Sequence, residues 1–410
     1  MTCLTVVLLS QTAPALAQSV SHRGFVEGAA SGFPQTAPND STQAVLDLLV
    51  REEGFVRPAA WLQFAGGLDV RANSHDQVDG RWRLDVSDRG TRRPRLSLRR
   101  LTATLNRGPL TVDLGKQFIR WGKTDIVNPT DRFAPRDFLN VVDSEFLGIT
   151  AARASLQIGN HLVEGVWVPR FTPSRTPLLG QRWVPAGPAP LPIALREAPP
   201  AIPAGSQTGV RWGHVAARLE YSLSFYTGFN HLPDIRVRTL ELPSTVPAVE
   251  IERHYPRIRS YGGDVAVPGR WFTIKGEAEY FTSPTSSSDE FLLYVVQLER
   301  QRGEWVFVGG YVGEAVRHRR SAITFAPDRG MSRSIVARTG YTIDANRNFA
   351  IEGALRQSGD GAYVKGEYSQ ARGSHWRATI AAVGIVGASD DFFGQYDRNS
   401  HVTVKARYSF

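Results

Sequence analysis

The chain has 410 residues, a formal net charge of +9, 42% hydrophobic residues and a single cysteine. That length suits two or three soluble domains or one large closed barrel, but no run approaches the roughly 20 apolar residues a membrane-spanning helix needs, which excludes helical insertion. One cysteine excludes a disulfide framework and a cysteine-based metal site, and the basic residues are scattered rather than gathered into a nucleic-acid-binding tail.

Residues 1–17 read as a secretory signal peptide. Thr5, Val6, Val7, Leu8 and Leu9 form its apolar centre, and Ala15-Leu16-Ala17 before Gln18 is an A-x-A-type cleavage site. Cys3 lies inside this segment, so cleavage leaves a mature chain without cysteine. Export also argues against nucleic acid as a partner. The positive balance then points to anionic lipid head groups or to a pore that favours anions.

Residues 18–54 read as a periplasmic leader. Its first part, up to Asp40, is rich in Gly, Ser, Pro and Ala. Asp40-Ser41-Thr42-Gln43 then has a capping-box pattern. Val45, Leu46, Leu48 and Leu49 come next at helical spacing, which predicts a short helix over residues 41–52. Such a helix would sit in the periplasm or partly plug a barrel built from the rest of the chain.

From residue 55 to 410 the dominant signal is alternation with period two, as in strands that face two different solvents. In the segment from Trp271 to Phe281, Phe272, Ile274, Gly276, Ala278 and Tyr280 oppose Thr273, Lys275, Glu277 and Glu279. Tyr363, Lys365, Glu367 and Ser369 oppose Val364, Gly366 and Tyr368, and Trp376, Ala378 and Ile380 oppose Arg377 and Thr379. Short links such as Arg107-Gly108, Gly159-Asn160, Arg302-Gly303 and Arg372-Gly373-Ser374 alternate with long ones, for example residues 122–146 and 172–206. Arg99-Arg100 interrupts the alternation and predicts a bulge. The expected fold is all-β: a transmembrane antiparallel up-and-down barrel of about 16 strands with a short N-terminal helix. In the last ten residues Val402, Val404, Ala406, Tyr408 and Phe410 share one face, and His401, Thr403, Lys405, Arg407 and Ser409 the other. This strand is expected to close the barrel on one near residues 56–72.

The terminal Tyr408-Ser409-Phe410, after alternating Val402, Val404 and Ala406, looks like the signal read by the barrel-assembly machinery, with Tyr408 and Phe410 its key residues. Together with the export signal, the pattern from about Val56 to Phe410 resembles Gram-negative outer-membrane porins and porin-like barrels. Gly115-Lys116-Gln117-Phe118-Ile119-Arg120-Trp121-Gly122, then Thr124, Asp125, Asn128, Pro129 and Asp131, also looks like poorly characterised porin-like families with no assigned substrate. The resemblance implies a multi-pass barrel in the outer membrane, with its lipid and the assembly machinery as partners.

One long connection holds Arg120, Lys123, Asp125, Asp131, Arg132, Arg136, Asp137, Asp143 and Glu145. An inward-folded loop with opposed acidic and basic rows is how porins narrow their lumen, so these residues are the constriction candidates. Candidate lumen-facing residues are Arg100, Arg153, Lys275, Glu277, Lys365, Glu367, Arg377, Lys405 and Arg407. No G-x-S-x-G, H-E-x-x-H, P-loop or EF-hand pattern occurs, so neither catalysis, nor a metal, nor a cofactor is expected. The expected activity is passive diffusion of small polar, anionic solutes. The rivals are polymer export, uptake of less polar molecules, an adhesin or structural barrel, and an outer-membrane hydrolase assembled across strands.

Overall fold

The computed structural model describes residues 19–38, 40–184, 194–240, 248–320 and 323–410. The expected signal peptide, residues 1–17, lies outside the described residues. The barrel wall runs through β1 (Ser19–Gly32), β2 (Ala44–Ala59), β3 (Leu62–Asn73), β4 (Leu96–Arg107), β5 (Leu110–Gln117) and β6 (Ile149–Ile158). It continues with β7 (His161–Val168), β8 (Gln207–Ala216), β9 (Leu219–Phe229), β10 (Arg257–Pro268), β11 (Thr273–Thr282) and β12 (Glu290–Arg302). The remaining strands are β13 (Trp305–His318), β14 (Ser334–Asp344), β15 (Arg347–Arg356), β16 (Gly361–Arg372), β17 (Trp376–Gly387) and β18 (His401–Ser409). The two-residue segment Leu84–Asp85 pairs in parallel with β4 beside this wall, so the 19-stranded sheet contributes 18 wall strands.

Each wall strand pairs antiparallel with its chain neighbours. The circle closes where β1 pairs with β18, Phe25 opposite Ser409 and Gly32 opposite Val402. No sheet edge is left open, as a span through hydrocarbon demands. Connections at one rim are two to four residues long, and those at the other range from residues 357–360 up to several dozen, as in residues 118–148. Gly108, Gly159 and Gly303 occupy positive φ (56°, 56° and 57°) in the tight turns, a conformation that residues with a Cβ rarely adopt.

Burial is inverted relative to a water-soluble protein. On β18, Val402 and Val404 are 45% and 51% exposed, while His401 and Thr403 are buried. On β11, Ile274 is exposed, while Glu277 and Glu279 are 3% and 2% exposed. Apolar residues outside and polar residues inside mean that the exterior solvent is lipid. Trp61, Trp271, Trp305 and Trp376 stand exposed at the short-turn rim. Trp305 lies 4.5 Å from Tyr341 and Trp376 lies 5.1 Å from Tyr408 between ring centroids, forming part of an interfacial aromatic belt.

Four expectations are corrected. The strand count is 18 rather than about 16. The helix expected over residues 41–52 is absent: Ala44–Ala59 is strand β2, and Ser19–Gly32, read as irregular leader, is β1. Among the described residues the wall therefore begins at Ser19, not at residue 55, and residues 19–32 and 44–54, expected in a periplasmic leader, belong to it. Finally, the closing strand pairs with β1, not with the strand near residues 56–72.

For β2 the physical reason is local. In β2, Leu46 and Leu48 face lipid, while Val45 and Leu49 face an interior filled by loops. Both faces are apolar, so the alternation disappears and the spacing imitates a helix. Asp40 caps a turn instead: its Oδ1 accepts from Thr42 N at 2.9 Å and its Oδ2 lies 2.7 Å from His75 Nε2. The bulge at Arg99 is present, because Gly67 faces Arg100 while Leu68 faces Leu98. Among the described residues, the only α-helical turn is Pro327–Gly330.

Candidate functional site

The loop between β5 and β6, residues 118–148, folds into the barrel. It starts from an apolar cluster: Ile119, Trp121, Val127 and Phe133 are buried with Val166 of β7, Tyr226 of β9 and Phe281 of β11. Trp121 packs edge-on to Phe133 at 5.0 Å, and Phe133 to Tyr226 at 5.1 Å. The Trp121 indole N–H donates to Glu164, which Arg153 Nε also contacts at 2.7 Å. Trp121 is therefore an interior anchor.

Beyond this cluster the loop is pinned to the wall at two places. At the first, the buried carboxylate of Glu277 accepts from Lys123 N (2.9 Å), Thr124 N (3.1 Å) and Thr124 Oγ1 (2.9 Å). It also accepts from Thr130 N (2.8 Å) and Thr130 Oγ1 (2.9 Å). Nearby, Lys275 Nζ donates to Asp125 at 3.1 Å and sits 2.6 Å from Glu299. Lys123 pairs with Glu220 and lies 3.7 Å from Asp264. Asp131 is used locally, accepting from Trp121 N (2.7 Å) and Gly122 N (2.8 Å), with Arg120 3.3 Å away.

At the second place the roles are reversed, with carboxylates on the loop and cations on the wall. Asp143 meets Lys405 of β18 at 2.9 Å, and Glu145 meets Arg71 of β3 at 2.6 Å and Arg51 of β2 at 3.7 Å. Arg51 also holds Asp69 through Nε and Nη2, at 2.7 and 2.8 Å. Between the two places, Asp137 is buried against Arg93 (2.9 Å) and Arg175 (3.2 Å). Burial alone would raise the Asp137 pKa, but these guanidinium groups outweigh it and hold the carboxyl well below the usual range. The Asp143 and Glu145 carboxyls, opposed by burial in the same way, are held low by Lys405 and by Arg71 and Arg51.

The other loop candidates do not make a second charged row. Arg120 and Arg136 both lie over the Phe146 ring, at 4.4 and 4.1 Å, and Arg132 lies over Phe281 at 4.8 Å. Of the strand candidates, Arg407 reaches Glu27 at 2.6 Å and Lys365 stands 3.9 Å from Glu367. Arg100 sits opposite Gly67 with its Nε buried and unpaired. Arg377 is exposed at the short-turn end, opposite Arg407.

A cavity of about 210 Å³ runs between the second pinning place and the wall of β18, β1, β2 and β3. Five cations line it (Arg71, Arg93, Arg182, Lys405 and Arg407) against four carboxylates (Glu27, Asp47, Asp143 and Glu145), a surplus of one. A second cavity of about 440 Å³ lies among the long loops near β13–β16 and carries Arg319, Arg329, Arg333 and Arg356 against Glu314 alone. There Arg329 pairs with Asp289 and Glu314, and Arg356 with Asp391.

Several of these groups escaped the sequence reading. Glu27, Asp47 and Arg51 lie on the two strands mistaken for leader and helix. Arg182 lies in the proline-rich connection after β7, yet bonds Asn399 Oδ1 (3.2 Å) and stacks on Phe33 (3.9 Å), tying three loops together. On the inward face of β2, Asp47, Arg51 and Glu53 share one parity, but Val45 and Leu49 interrupt the signal. Nothing local marked Arg182.

A closed barrel with an apolar exterior, an aromatic rim and turns of unequal length is a transmembrane barrel of the outer-membrane class. More narrowly, its fold is that of the outer-membrane porins. The structure superposes on a BenF-like porin from Pseudomonas fluorescens Pf-5 with a TM-score of 0.57 at 8% identity, covering 96% of this chain and 98% of the other. OccAB4 of Acinetobacter baumannii gives 0.55 at 10% identity (96% and 99% covered), and OpdQ of Pseudomonas aeruginosa 0.54 at 10% (97% and 99%). No protein-family model and no curated protein matches the sequence.

Proposed function

We propose that the protein is an outer-membrane channel for passive diffusion of small polar, preferentially anionic, solutes, narrowed by the β5–β6 loop. The observation that carries this reading is the loop itself. It lies inside the barrel, pinned to the wall, with a charged cavity beside it rather than a continuous apolar fill. Lining charges of one sign bias a water-filled passage towards the opposite ion. The inner cavity has a surplus of only one positive charge, so it contributes a modest bias. In the outer cavity, among the long loops, Arg329 and Arg356 are paired with Asp289, Glu314 and Asp391, so its contribution to an anion bias comes from Arg319 and Arg333.

The packed cluster around Trp121, Phe133 and Tyr226 favours a second reading, a closed structural or adhesive barrel. Planar-bilayer recording of the purified protein in a salt gradient separates the two. The channel reading predicts steady conductance with a reversal potential on the anion-selective side. A silent barrel contradicts it. No catalytic step is part of this reading.

A further inference from the structure

At the short-turn rim, on the lipid-facing side of the wall, two histidines stand directly opposite each other on neighbouring strands. His161 opens β7 and His214 is the third residue from the end of β8; the two are register partners. Both belong to the outward set: on β7 the inward residues are Glu164, Val166 and Val168, all buried, whereas Val163 and Trp167, which share parity with His161, are exposed. Their Nδ1 atoms are 3.4 Å apart and their ring centroids 4.7 Å apart. His161 stacks on Trp212 (5.7 Å, 13° between planes), and Tyr221 lies 5.4 Å from His214, so aromatic neighbours restrict both imidazoles.

We propose that His161 and His214 form a two-histidine site for a zinc-class divalent cation on the outer wall of the barrel. The argument is geometric. Zinc takes imidazole nitrogens at about 2.0–2.1 Å in tetrahedral array, which places two such ligands roughly 3.3–3.4 Å apart. The observed separation, at which the two neutral rings share an Nδ1···Nδ1 hydrogen bond, matches that span, so a cation would take the place of the shared proton with little change in spacing. A square-planar cation would need its adjacent ligands closer, at roughly 2.8–2.9 Å. Antiparallel pairing supplies the pre-organisation, because directly opposite side chains of a ladder are held in fixed proximity.

Among the described residues no third His, Cys, Asp or Glu joins this pair. The remaining two positions therefore take oxygen ligands from the rim, either water or a lipid phosphate.

The test is a titration of the purified full-length barrel with zinc chloride in phosphate-free buffer, monitored by calorimetry and by thermal unfolding. It is run once in a non-ionic detergent without phosphate and once in phospholipid nanodiscs. The expected result is saturable binding of one equivalent with a rise in Tm, since a ligand that binds only the folded state stabilises it. Both effects vanish in His161→Ala and in His214→Ala and persist in His375→Ala, a rim histidine outside the pair. Equal affinity in the two surroundings supports the site with water as the oxygen ligand, and tighter binding in the nanodisc supports it with lipid phosphate. Zinc binding that survives both pair substitutions, or no saturable binding by the folded barrel, overturns the proposal. Detergent resistance of the folded band on unheated gels checks that each variant folds.

Discussion

The two places where the β5–β6 loop is fastened use different physics. Around residues 123–130 the wall presents one buried carboxylate, Glu277, and the loop answers with three backbone N–H groups and two hydroxyls. Around residues 143–145 the loop presents carboxylates and the wall answers with the long side chains of Lys405, Arg71 and Arg51. The first fastening satisfies backbone donors that would otherwise be buried without partners. The second is half in solvent, with the Asp143 and Glu145 side chains 49% and 44% exposed, where ion pairs contribute about 0–1 kcal/mol and salt screens them. One end of the loop is thus part of the wall, and the other is a clasp that charge, pH and salt can loosen.

Breaking the first fastening is expected to have the largest effect. Charge-assisted hydrogen bonds contribute about 1.5–3 kcal/mol each, so removing the acceptor of five donors costs several kcal/mol locally even with strong non-additivity. Glu277→Ala should therefore raise the single-channel conductance several-fold and add current noise, whereas Glu277→Gln, which keeps one acceptor oxygen, should fall between it and the native protein. Acid should have the next largest effect, and it should act on the clasp. The Asp137, Asp143 and Glu145 carboxyls all sit below their ordinary values. Their contribution is therefore complete above the unfolded carboxylate pKa near 4 and is lost as pH falls through the depressed values. Conductance should rise reversibly below about pH 4 and stay flat between about pH 5 and 8.

Smaller still is the expected effect of Lys405→Ala, which removes about 1 kcal/mol of pairing. It should change conductance by less than about twofold at low salt and not at all near 1 M, where charges are screened within about 3 Å. The smallest conductance change belongs to Arg319→Ala with Arg333→Ala at the outer cavity. That pair should leave single-channel current almost unchanged while shifting the reversal potential towards zero.

The same contrast explains what the sequence could and could not reveal. Lipid on one side and water on the other impose strict alternation, so β11, β16, β17 and β18, with their tight turns, were legible residue by residue. Where loops fill the interior, the inner solvent is no longer water. Val45 and Leu49 could then be apolar, and β2 lost its period. The missing hairpin β1–β2 accounts for the whole difference between 16 and 18 strands. The charged loop was visible as a cluster, but its partners were not. Glu277 lies 153 residues from Thr124, and Lys405 lies 262 from Asp143, distances that only the closed wall brings together.

The most direct test of a channel narrowed by this loop is the single-channel conductance of the native barrel beside that of Glu277→Ala, recorded in the same bilayer and salt. A small, steady native conductance that increases several-fold in the variant is the predicted result. Equal conductance in a variant that still assembles, or no conductance in either, would contradict it.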